Sequence, residues 1–165
     1  AAQTLLDQVR AEAPTAGIRS NVIVGFPGET EEDLETLCDF LDQARLDVTG
    51  VFGYSDEDGT EAAGYDGKLD VDEVTARVAH VNALVEELTS QRAEERVGER
   101  VQVLVESVED GVVEGRAQHQ GPEVDGTTEL LGAFEGTRIG DLLWGEVVES
   151  QGVDLIARVR DGEIR

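Results

Sequence analysis

The periodicity of apolar residues changes near Gly98, and this change constrains the fold more than any other feature of the 165-residue chain. Before Gly98, apolar residues at helical spacing alternate with short β-branched runs, whereas after it they recur at every second residue. The first pattern is typical of parallel strands joined by helices, and the second of a small β-barrel. We therefore predict two domains, one over residues 1–97 and one over residues 98–165.

The first part of the chain is predicted to fold as an αβαβα unit, with strands at residues 18–25 and 48–54. The first strand is a β-branched run that ends in glycine, which is typical of a strand buried on both faces. Thr30, followed by Asp33, predicts a capped start for the second helix, and Asp70 predicts the start of a long third helix. Connections of this length favour parallel pairing of the strands.

The second part is predicted to be a small five-stranded antiparallel barrel. Its first strand carries alternating valines at Val101, Val103 and Val105, and a turn follows at residues 109–111. Further strands are predicted at residues 112–117, 127–131, 141–149 and 153–159. The predicted fold is therefore an α/β domain followed by an all-β domain.

The chain is strongly acidic, with 37 Asp and Glu against 13 Lys and Arg and a net charge of −24. Both parts share this excess: residues 1–97 carry 22 acids and 7 bases, and residues 98–165 carry 15 acids and 6 bases. Binding a nucleic-acid backbone needs clustered Lys and Arg. The charge therefore disfavours nucleic acid as a partner and favours a basic protein.

The apolar runs are only a few residues long, so no membrane-spanning segment is predicted. The single cysteine, Cys38, excludes a disulfide framework and any metal site built from several cysteines of this chain. Cys38 lies beside Leu37 and Leu41 in a helical pattern, where a small core residue is expected. The chain has no Met and starts within a helical pattern, so we expect a piece of a longer cytoplasmic protein.

The sequence GFPGET at residues 25–30 lies between the first strand and the second helix. In parallel α/β folds, ligands bind at the carboxyl ends of the strands, where this loop would lie. Gly25 and Gly28 would let the backbone approach a flat ligand, and Pro27 would stiffen the loop. An ordinary glycine–proline turn with a good helix cap explains the same residues. The second strand ends in VFGYS at residues 51–55, whose aromatic rings and hydroxyl would reach the same edge.

Residues 19–41, RSNVIVGFPGETEEDLETLCDFL, and residues 46–63, LDVTGVFGYSDEDGTEAA, resemble the later part of the radical-SAM core of the methylthiotransferases. The most similar subgroup is the RimO-type enzymes, which modify a small-subunit ribosomal protein. The resemblance implies that residues 1–97 are the carboxyl-terminal portion of a TIM-like barrel. It also implies S-adenosylmethionine and two [4Fe–4S] clusters as cofactors of the intact enzyme.

The resemblance further implies which residues border S-adenosylmethionine. The GFPGET loop would line the cofactor side, and the end of the second strand would lie near its mouth. The cofactor-binding residues predicted in this way are Ile23, Gly25, Phe26, Pro27, Gly28, Glu29, Phe52, Tyr54 and Ser55. The family holds its clusters with cysteine triads, which Cys38 alone cannot replace. We therefore expect this chain to hold no catalytic residue, metal ligand or bound cofactor, and to be inactive alone.

Residues 115–126, GRAQHQGPEVDG, resemble part of the TRAM domain, a small β-barrel appended to methylthiotransferases. Gly121 stands where Ala is common in the RimO-type subgroup. TRAM domains of the tRNA-modifying relatives bind RNA, whereas residues 98–165 carry a net charge of −9 here. The resemblance and the charge together imply a basic small-subunit ribosomal protein as partner. The predicted substrate contacts are His119, Gln120, Glu123 and Asp125. For His119, Glu123 and Asp125, a role as an ordinary turn residue is the first explanation, and contact with a partner is the second.

The predicted function is methylthiolation of the β-carbon of an aspartate in a small-subunit ribosomal protein, with an electron donor that the sequence leaves unidentified. Two alternatives stay open. One is a tRNA methylthiotransferase of the same superfamily, which would need a basic TRAM face. The other is a non-catalytic module that docks a basic protein, and the absence of a CxxxCxxC motif from the full-length sequence would favour it.

Overall fold

The computed structural model describes residues 2–122, 125–133 and 135–164, with side chains described as far as Val159. The elements follow the predicted order of helix, strand, helix, strand and helix, and five further strands come after them. They are α1 (Ala2–Glu12), β1 (Arg19–Val24), α2 (Glu31–Ala44), β2 (Val48–Gly53), a 3₁₀ turn (Ala62–Gly64), α3 (Val71–Glu94), β3 (Arg100–Glu109), β4 (Val112–Ala117), β5 (Thr128–Leu131), β6 (Leu142–Gln151) and β7 (Asp154–Ile164).

β1 and β2 pair in parallel, in a register that runs from Arg19 opposite Val48 to Val24 opposite Gly53. The predicted cap of α2 is present: the Thr30 amide donates to Asp33 Oδ2 at 2.9 Å, and the Asp33 amide donates to Thr30 Oγ1 at 3.2 Å. The helices bury their apolar stripes against one face of the two strands. The buried core of this α/β unit consists of Val24, Leu34, Leu41, Ala44, Leu46, Val81 and Val85.

The other face of the β1–β2 pair is open. Val24 is fully buried, but the preceding residue, Ile23, is 59% exposed, and its register partner Phe52 is 55% exposed. Successive side chains of a strand point to opposite faces, and the helices cover only one of them. The prediction that the first strand is buried on both faces is therefore wrong for this chain.

β3 to β7 form a closed barrel in the order β3-β4-β5-β7-β6. The alternating valines of β3 point inward as predicted, and the barrel core contains Val101, Val103, Val105, Leu130, Leu143, Val147 and Leu155. The prediction of an all-antiparallel barrel is wrong, because β5 and β7 pair in parallel, with Thr128 opposite Leu155. In a closed barrel with an odd number of strands, the strand directions cannot alternate all the way around, so at least one neighbouring pair must be parallel.

The last turn of α3 connects the α/β unit to the barrel. Ala93 on α3 belongs to the barrel core, and the Gly98 amide donates to the Val147 carbonyl of β6 at 2.8 Å. The division at residues 97 and 98 stays a prediction, and it falls just before the first barrel strand. None of the helices in the described part of the chain is both long and apolar enough to span a membrane.

Candidate functional site

The carboxyl ends of β1 and β2 carry a group of aromatic side chains, which we call the rim: Phe26, Tyr54 and Tyr65. The Phe26 ring lies edge to face with Tyr54, at a centroid distance of 5.3 Å, and with Tyr65 at 6.1 Å. The Tyr54 amide donates to the Val24 carbonyl at 2.8 Å, which carries the parallel pairing past the strand ends. The structure thus brings the two predicted loops together at one edge. Tyr65 was not among the predicted residues, because it lies in a polar loop without a periodic signal.

Glu29, predicted on the cofactor side, points into the protein. Its Oε2 accepts the Gly25 amide at 2.9 Å, and its Oε1 accepts Arg77 Nη1 at 2.9 Å. The side chains of Glu29 and Arg77 are 11% and 8% exposed. Arg77 on α3 also pairs with Glu31 and Glu73, and these carboxylates raise its pKa. Glu29 therefore holds the GFPGET loop to α3, and its carboxylate is already satisfied within the chain.

Gly25 and Gly28 occupy different surroundings, although both have positive φ, at 81° and 85°. A Cβ atom on Gly25 would lie only 2.7 and 2.9 Å from the two methyl groups of Val74 on α3. A Cβ atom on Gly28 would meet nothing within 4 Å. Close packing against α3 requires a glycine at position 25, whereas at position 28 only the backbone conformation favours one.

Four amides of the GFPGET loop, those of Gly25, Gly28, Glu29 and Thr30, donate hydrogen bonds within the chain. The Gly28 amide donates to the Gly67 carbonyl at 2.8 Å, and the Glu29 amide donates to the Phe26 carbonyl at 2.9 Å. The residues that follow at the start of α2 are acidic. The loop is therefore not an anion-binding site, and it offers the half-exposed ring of Phe26 just after the end of β1. This arrangement can contact a flat, uncharged or cationic group.

A polar cluster borders the rim. The Tyr54 hydroxyl donates to Asp56 Oδ1 at 2.9 Å, and Lys68 Nζ lies 2.7 Å from Asp56 Oδ2. Burial and the bond to Asp56 raise the pKa of Tyr54, while the bonds from Lys68 and Tyr54 lower the pKa of Asp56. Ser55 Oγ lies 3.3 Å from Glu57 Oε1. Both predicted hydroxyl residues are thus oriented by acidic side chains of the following loop.

Cys38 lies half-buried on α2, where it packs against the core of the α/β unit. Burial, together with Asp39 and Glu35, raises the pKa of its thiol, which disfavours the thiolate form that binds metals. Within the described residues, no group of three or more His, Cys, Asp or Glu side chains is arranged to hold a metal ion. The donor set of this chain does not fit an iron–sulfur cluster.

Three of the four predicted substrate contacts, His119, Gln120 and Asp125, lie on the turn between β4 and β5. Gln120 is buried: its Oε1 accepts the Ala117 amide at 2.8 Å and the Thr128 hydroxyl at 2.7 Å. The Asp125 carboxylate is also buried, and it accepts the Gly121 amide at 2.8 Å and pairs with Arg19 at 3.2 Å. Both side chains therefore hold the turn in place. Glu123 lies outside the described residues.

His119 lies where the barrel meets the amino-terminal ends of β1 and β2. We call this region the seam, and it consists of Gly17, Ile18, Asp47, Arg96 and His119. A Cβ atom on Gly17 would lie 2.2 Å from the His119 carbonyl oxygen, so the two backbones are in direct contact. Asp47 Oδ2 accepts the Ile18 amide at 2.8 Å, and Asp47 Oδ1 accepts Arg96 Nη2 at 2.5 Å. This ion pair was not predicted, because its partners are far apart in the chain.

The His119 imidazole is held neutral in the seam. Burial lowers its pKa to about 4, with a further contribution from Arg96 and Arg92 that Asp47 and Asp125 partly offset. Its Nδ1 is buried and has no hydrogen-bond partner among the described residues. A proton on His119 would therefore place a third cation beside two arginines.

The free energy of unfolding is expected to fall as the pH decreases from about 6.5 towards 4. In this range the unfolded chain binds a proton at His119, whereas the folded chain does not. His119→Gln removes this linked proton, so the free energy of unfolding should fall less between pH 7 and pH 4.5 than in the wild type. Urea unfolding at the two pH values measures the difference. His80→Gln, at an exposed position on α3, is the control and should follow the wild type. Equal losses in wild type and His119→Gln would contradict this.

Comparison with known proteins gives two findings. Residues 97–159 match the TRAM domain. The chain is 73% identical over 158 residues to a protein of Nocardioides named ribosomal protein uS12 methylthiotransferase RimO. The match covers 93% of this chain and 32% of that protein. Proteins of the same name from Saccharopolyspora erythraea and Streptomyces avermitilis are 64% and 59% identical, over 93% and 97% of this chain and 32% of each.

The chain thus spans about a third of the length of the curated relatives that it matches. The match extends through both parts of the chain, including the two strand ends and the turn from which the resemblance was inferred. That resemblance is confirmed: the chain corresponds to the carboxyl-terminal third of proteins named RimO, and its residues 97–159 match the TRAM domain.

Proposed function

We propose that this chain is the part of a cytoplasmic radical-SAM enzyme that borders S-adenosylmethionine and recognises its protein substrate. The intact enzyme would methylthiolate the β-carbon of an aspartate in a basic small-subunit ribosomal protein. The observation that carries the proposal is the 73% identity to a protein named ribosomal protein uS12 methylthiotransferase, together with an open apolar face at the carboxyl ends of β1 and β2.

The open face fits the interior of a larger barrel. Ile23 and Phe52 are register partners, and both are more than half exposed, whereas the opposite face of the same strands is packed against helices. Large apolar side chains exposed side by side on a strand pair mark a surface that contacts a ligand or another part of a protein. In a TIM-like barrel, this face would point to the interior, and the strand ends would form part of the active-site edge.

The residues at the carboxyl ends of β1 and β2 fit the nucleoside portion of S-adenosylmethionine. Phe26 and Phe52 offer exposed rings, and Gly28 leaves open space beside its backbone. Nine cofactor residues were predicted. Gly25 and Glu29 hold the loop against α3, and the other seven stay proposed contacts: Ile23, Phe26, Pro27, Gly28, Phe52, Tyr54 and Ser55. When bound, S-adenosylmethionine would supply the radical and methyl chemistry of the reaction. The [4Fe–4S] clusters would need thiolates from elsewhere in the enzyme.

The barrel is proposed to hold the basic substrate protein. Glu114 of β4 and Glu129 of β5 are directly opposite each other in the register. Like charges in directly opposed positions destabilise a sheet, so this pair has an unfavourable energy in the free chain. A cationic partner would relieve that repulsion. Asp125 is unsuitable as a probe of such binding, because its carboxylate is buried and paired with Arg19.

We expect this chain to bind a basic ribosomal protein such as uS12 in preference to transfer RNA. Binding of the protein should weaken as the salt concentration rises, because exposed charges are screened over about 8 Å at physiological ionic strength. Glu114→Lys combined with Glu129→Lys should slow association with the protein roughly tenfold, because peripheral charges act mainly on the encounter rate. Surface plasmon resonance at two salt concentrations measures both effects.

The matched control is Glu32→Lys combined with Glu35→Lys, which makes the same change in net charge on the exposed side of α2. It should slow association much less than the barrel variant. Equal effects of the two double variants would refute a specific role of the barrel. Tight binding of transfer RNA with little affinity for the protein would instead favour a tRNA methylthiotransferase.

A further inference from the structure

The rim is an unfavourable place for an anion unless a cation lies nearby. Four amides of the GFPGET loop donate within the chain, and the Tyr54 hydroxyl donates to Asp56. The loop that follows β2 is acidic, with Asp56, Glu57 and Asp58 in succession. The proposed substrate residue is an aspartate, whose carboxylate has the same sign of charge. Its approach to this edge therefore needs a cationic partner that offsets the repulsion.

The seven basic side chains of residues 1–97 are unevenly distributed over the α/β unit. Five of them lie at the end that contacts the barrel, where α2 and α3 end and β1 and β2 begin: Arg10, Arg19, Arg45, Arg92 and Arg96. The six residues of β1 put about 20 Å between that end and the rim, at ~3.3 Å per residue. Charges are screened over about 8 Å at physiological ionic strength, so these five arginines do not offset the charge at the rim.

The sixth basic side chain, Arg77, is already occupied by partners inside the chain. It is 8% exposed and pairs with the carboxylates of Glu29, Glu31 and Glu73. Three anionic partners more than balance its single charge. Arg77 is therefore unsuited to receive a further anion.

The seventh basic side chain is Lys68, the only lysine of the chain, and it borders the rim. Its neighbour Gly67 accepts the Gly28 amide at 2.8 Å, which joins this segment to the GFPGET loop. Lys68 Nζ donates to Asp56 Oδ2 at 2.7 Å and to the Ala63 carbonyl at 2.8 Å. An ammonium group has three N–H donors, and the described residues provide acceptors for two of them. Because the side chain is 39% exposed, the third donor is accessible to a ligand.

Asp56 holds this ammonium group beside the rim. Its other oxygen, Oδ1, accepts the Tyr54 hydroxyl at 2.9 Å, and the Tyr54 ring lies edge to face with Phe26. Two hydrogen bonds through one carboxylate thus connect Lys68 to an aromatic residue of the rim. A lysine that is already ordered loses less side-chain entropy when it binds a ligand.

We infer that Lys68 binds the carboxylate of the substrate aspartate at the rim. This inference rests on the proposed function and adds a specificity-determining residue to it. The third N–H of the ammonium group donates to the aspartate, while Asp56 and the Ala63 carbonyl accept the other two. This contact favours aspartate over its uncharged isostere asparagine, because a hydrogen bond between two charged groups is stronger than one to a neutral amide.

The test measures how strongly the full-length enzyme, loaded with its cofactors, distinguishes aspartate from asparagine. The two ligands are the ribosomal protein uS12 and its variant with asparagine in place of the modified aspartate. Surface plasmon resonance without an electron donor gives both Kd values in the absence of turnover. The wild-type enzyme is expected to bind the aspartate form about tenfold more tightly, as is usual for a hydrogen bond between charged groups. The ratio of the two Kd values cancels the contacts that both forms share.

Lys68→Gln and Lys68→Ala should each bring this ratio to about one, whereas Lys68→Arg keeps the charge and should keep most of the ratio. The matched control is Arg45→Gln, which removes one positive charge from an exposed side chain at the opposite end of the α/β unit and should leave the ratio unchanged. A purely structural role of Lys68 would weaken the binding of both forms equally and leave the ratio at its wild-type value. That result would overturn the inference and leave the proposed function intact. A ratio of about one for the wild type would do the same, and it is measured without any substitution.

S-adenosylmethionine also carries a carboxylate, and steady-state kinetics distinguish it from the aspartate. Lys68→Gln should raise the KM for the ribosomal protein and change the KM for S-adenosylmethionine less than about twofold. A higher KM for S-adenosylmethionine with an unchanged Kd ratio would overturn the inference, because Lys68 would then bind the cofactor. Failure of the wild-type enzyme to methylthiolate the ribosomal protein would refute the proposed function itself.

Discussion

Asp47→Ala is expected to lower the free energy of unfolding by about 3–5 kcal/mol, the usual cost of removing one partner of a buried ion pair. The substitution leaves the guanidinium of Arg96, which is 1% exposed, without its buried carboxylate, and it also removes the acceptor of the Ile18 amide. Because Arg96 lies between the α/β unit and the barrel, the loss falls on the contact that joins them. Urea unfolding followed by circular dichroism measures the change.

Glu106→Ala is the matched control for the ion-pair substitution. Glu106 Oε1 pairs with Arg116 Nε at 2.7 Å, but the two side chains are 47% and 32% exposed. Pairs of this exposure contribute about 0–1 kcal/mol, so the control should lose less than about 1 kcal/mol. A loss for Asp47→Ala no larger than that of the control would mean that the seam is hydrated and does not fix the position of the barrel.

Gly25→Ala is expected to destabilise the chain by about 3 kcal/mol, the second large effect. Positive φ costs a residue with a Cβ about 1–2 kcal/mol, and crowding a packed site costs about 1–3 kcal/mol more. Both costs apply here, because φ is 81° and the new methyl group would overlap the side chain of Val74. Thermal and urea unfolding measure the loss.

Two further variants separate the costs at Gly25. Gly28→Ala has the same backbone conformation in open space, so it should lose only about 1–2 kcal/mol. Val74→Ala makes room for the new methyl group, so Gly25→Ala should cost less in its presence than alone. If Gly25→Ala and Gly28→Ala lost the same stability, packing against α3 would not be the reason for glycine at position 25. Gly28 is the better of the two positions for probing the proposed cofactor contact, since a side chain there leaves the core untouched.

Local signals in the sequence predicted the elements well. The cap of α2 needs only Thr30 and Asp33, and the inward direction of the β3 valines follows from alternation, so both were confirmed. Strand direction in the barrel is a property of the closed ring, and the parallel β5–β7 pair was therefore missed, although an odd number of strands requires one. The prediction that Ile23 is buried was wrong, because its burial depends on elements that the described part of the chain does not provide.

The candidate site was predicted less completely, for a related reason. The proximity of Phe26 and Tyr54 follows from two parallel strands ending at one edge, so the motifs were enough. The partners of Glu29 and Asp47 are Arg77 and Arg96, which are 48 and 49 residues away. No spacing rule connects such residues, because only the packing of α3 brings them together. The sequence does show charged residues at the positions of α3 that face the rest of the chain. The same pattern is expected of a helix face exposed to solvent, so it did not predict the ion pairs.

The pairing of β7 has a consequence for the order of folding. β3 with β4, and β6 with β7, are neighbours in the chain and can form as local hairpins within microseconds. Closure needs the distant pairs Val103 with Leu143 and Thr128 with Leu155, whose loops must first lose entropy. Until the β6–β7 hairpin docks, β5 and β7 each have an open edge, as do β3 and β6. The rate-limiting step of barrel folding is therefore expected to be the docking of the β6–β7 hairpin between β5 and β3, and the hairpins formed earlier are the species most exposed to edge-to-edge aggregation.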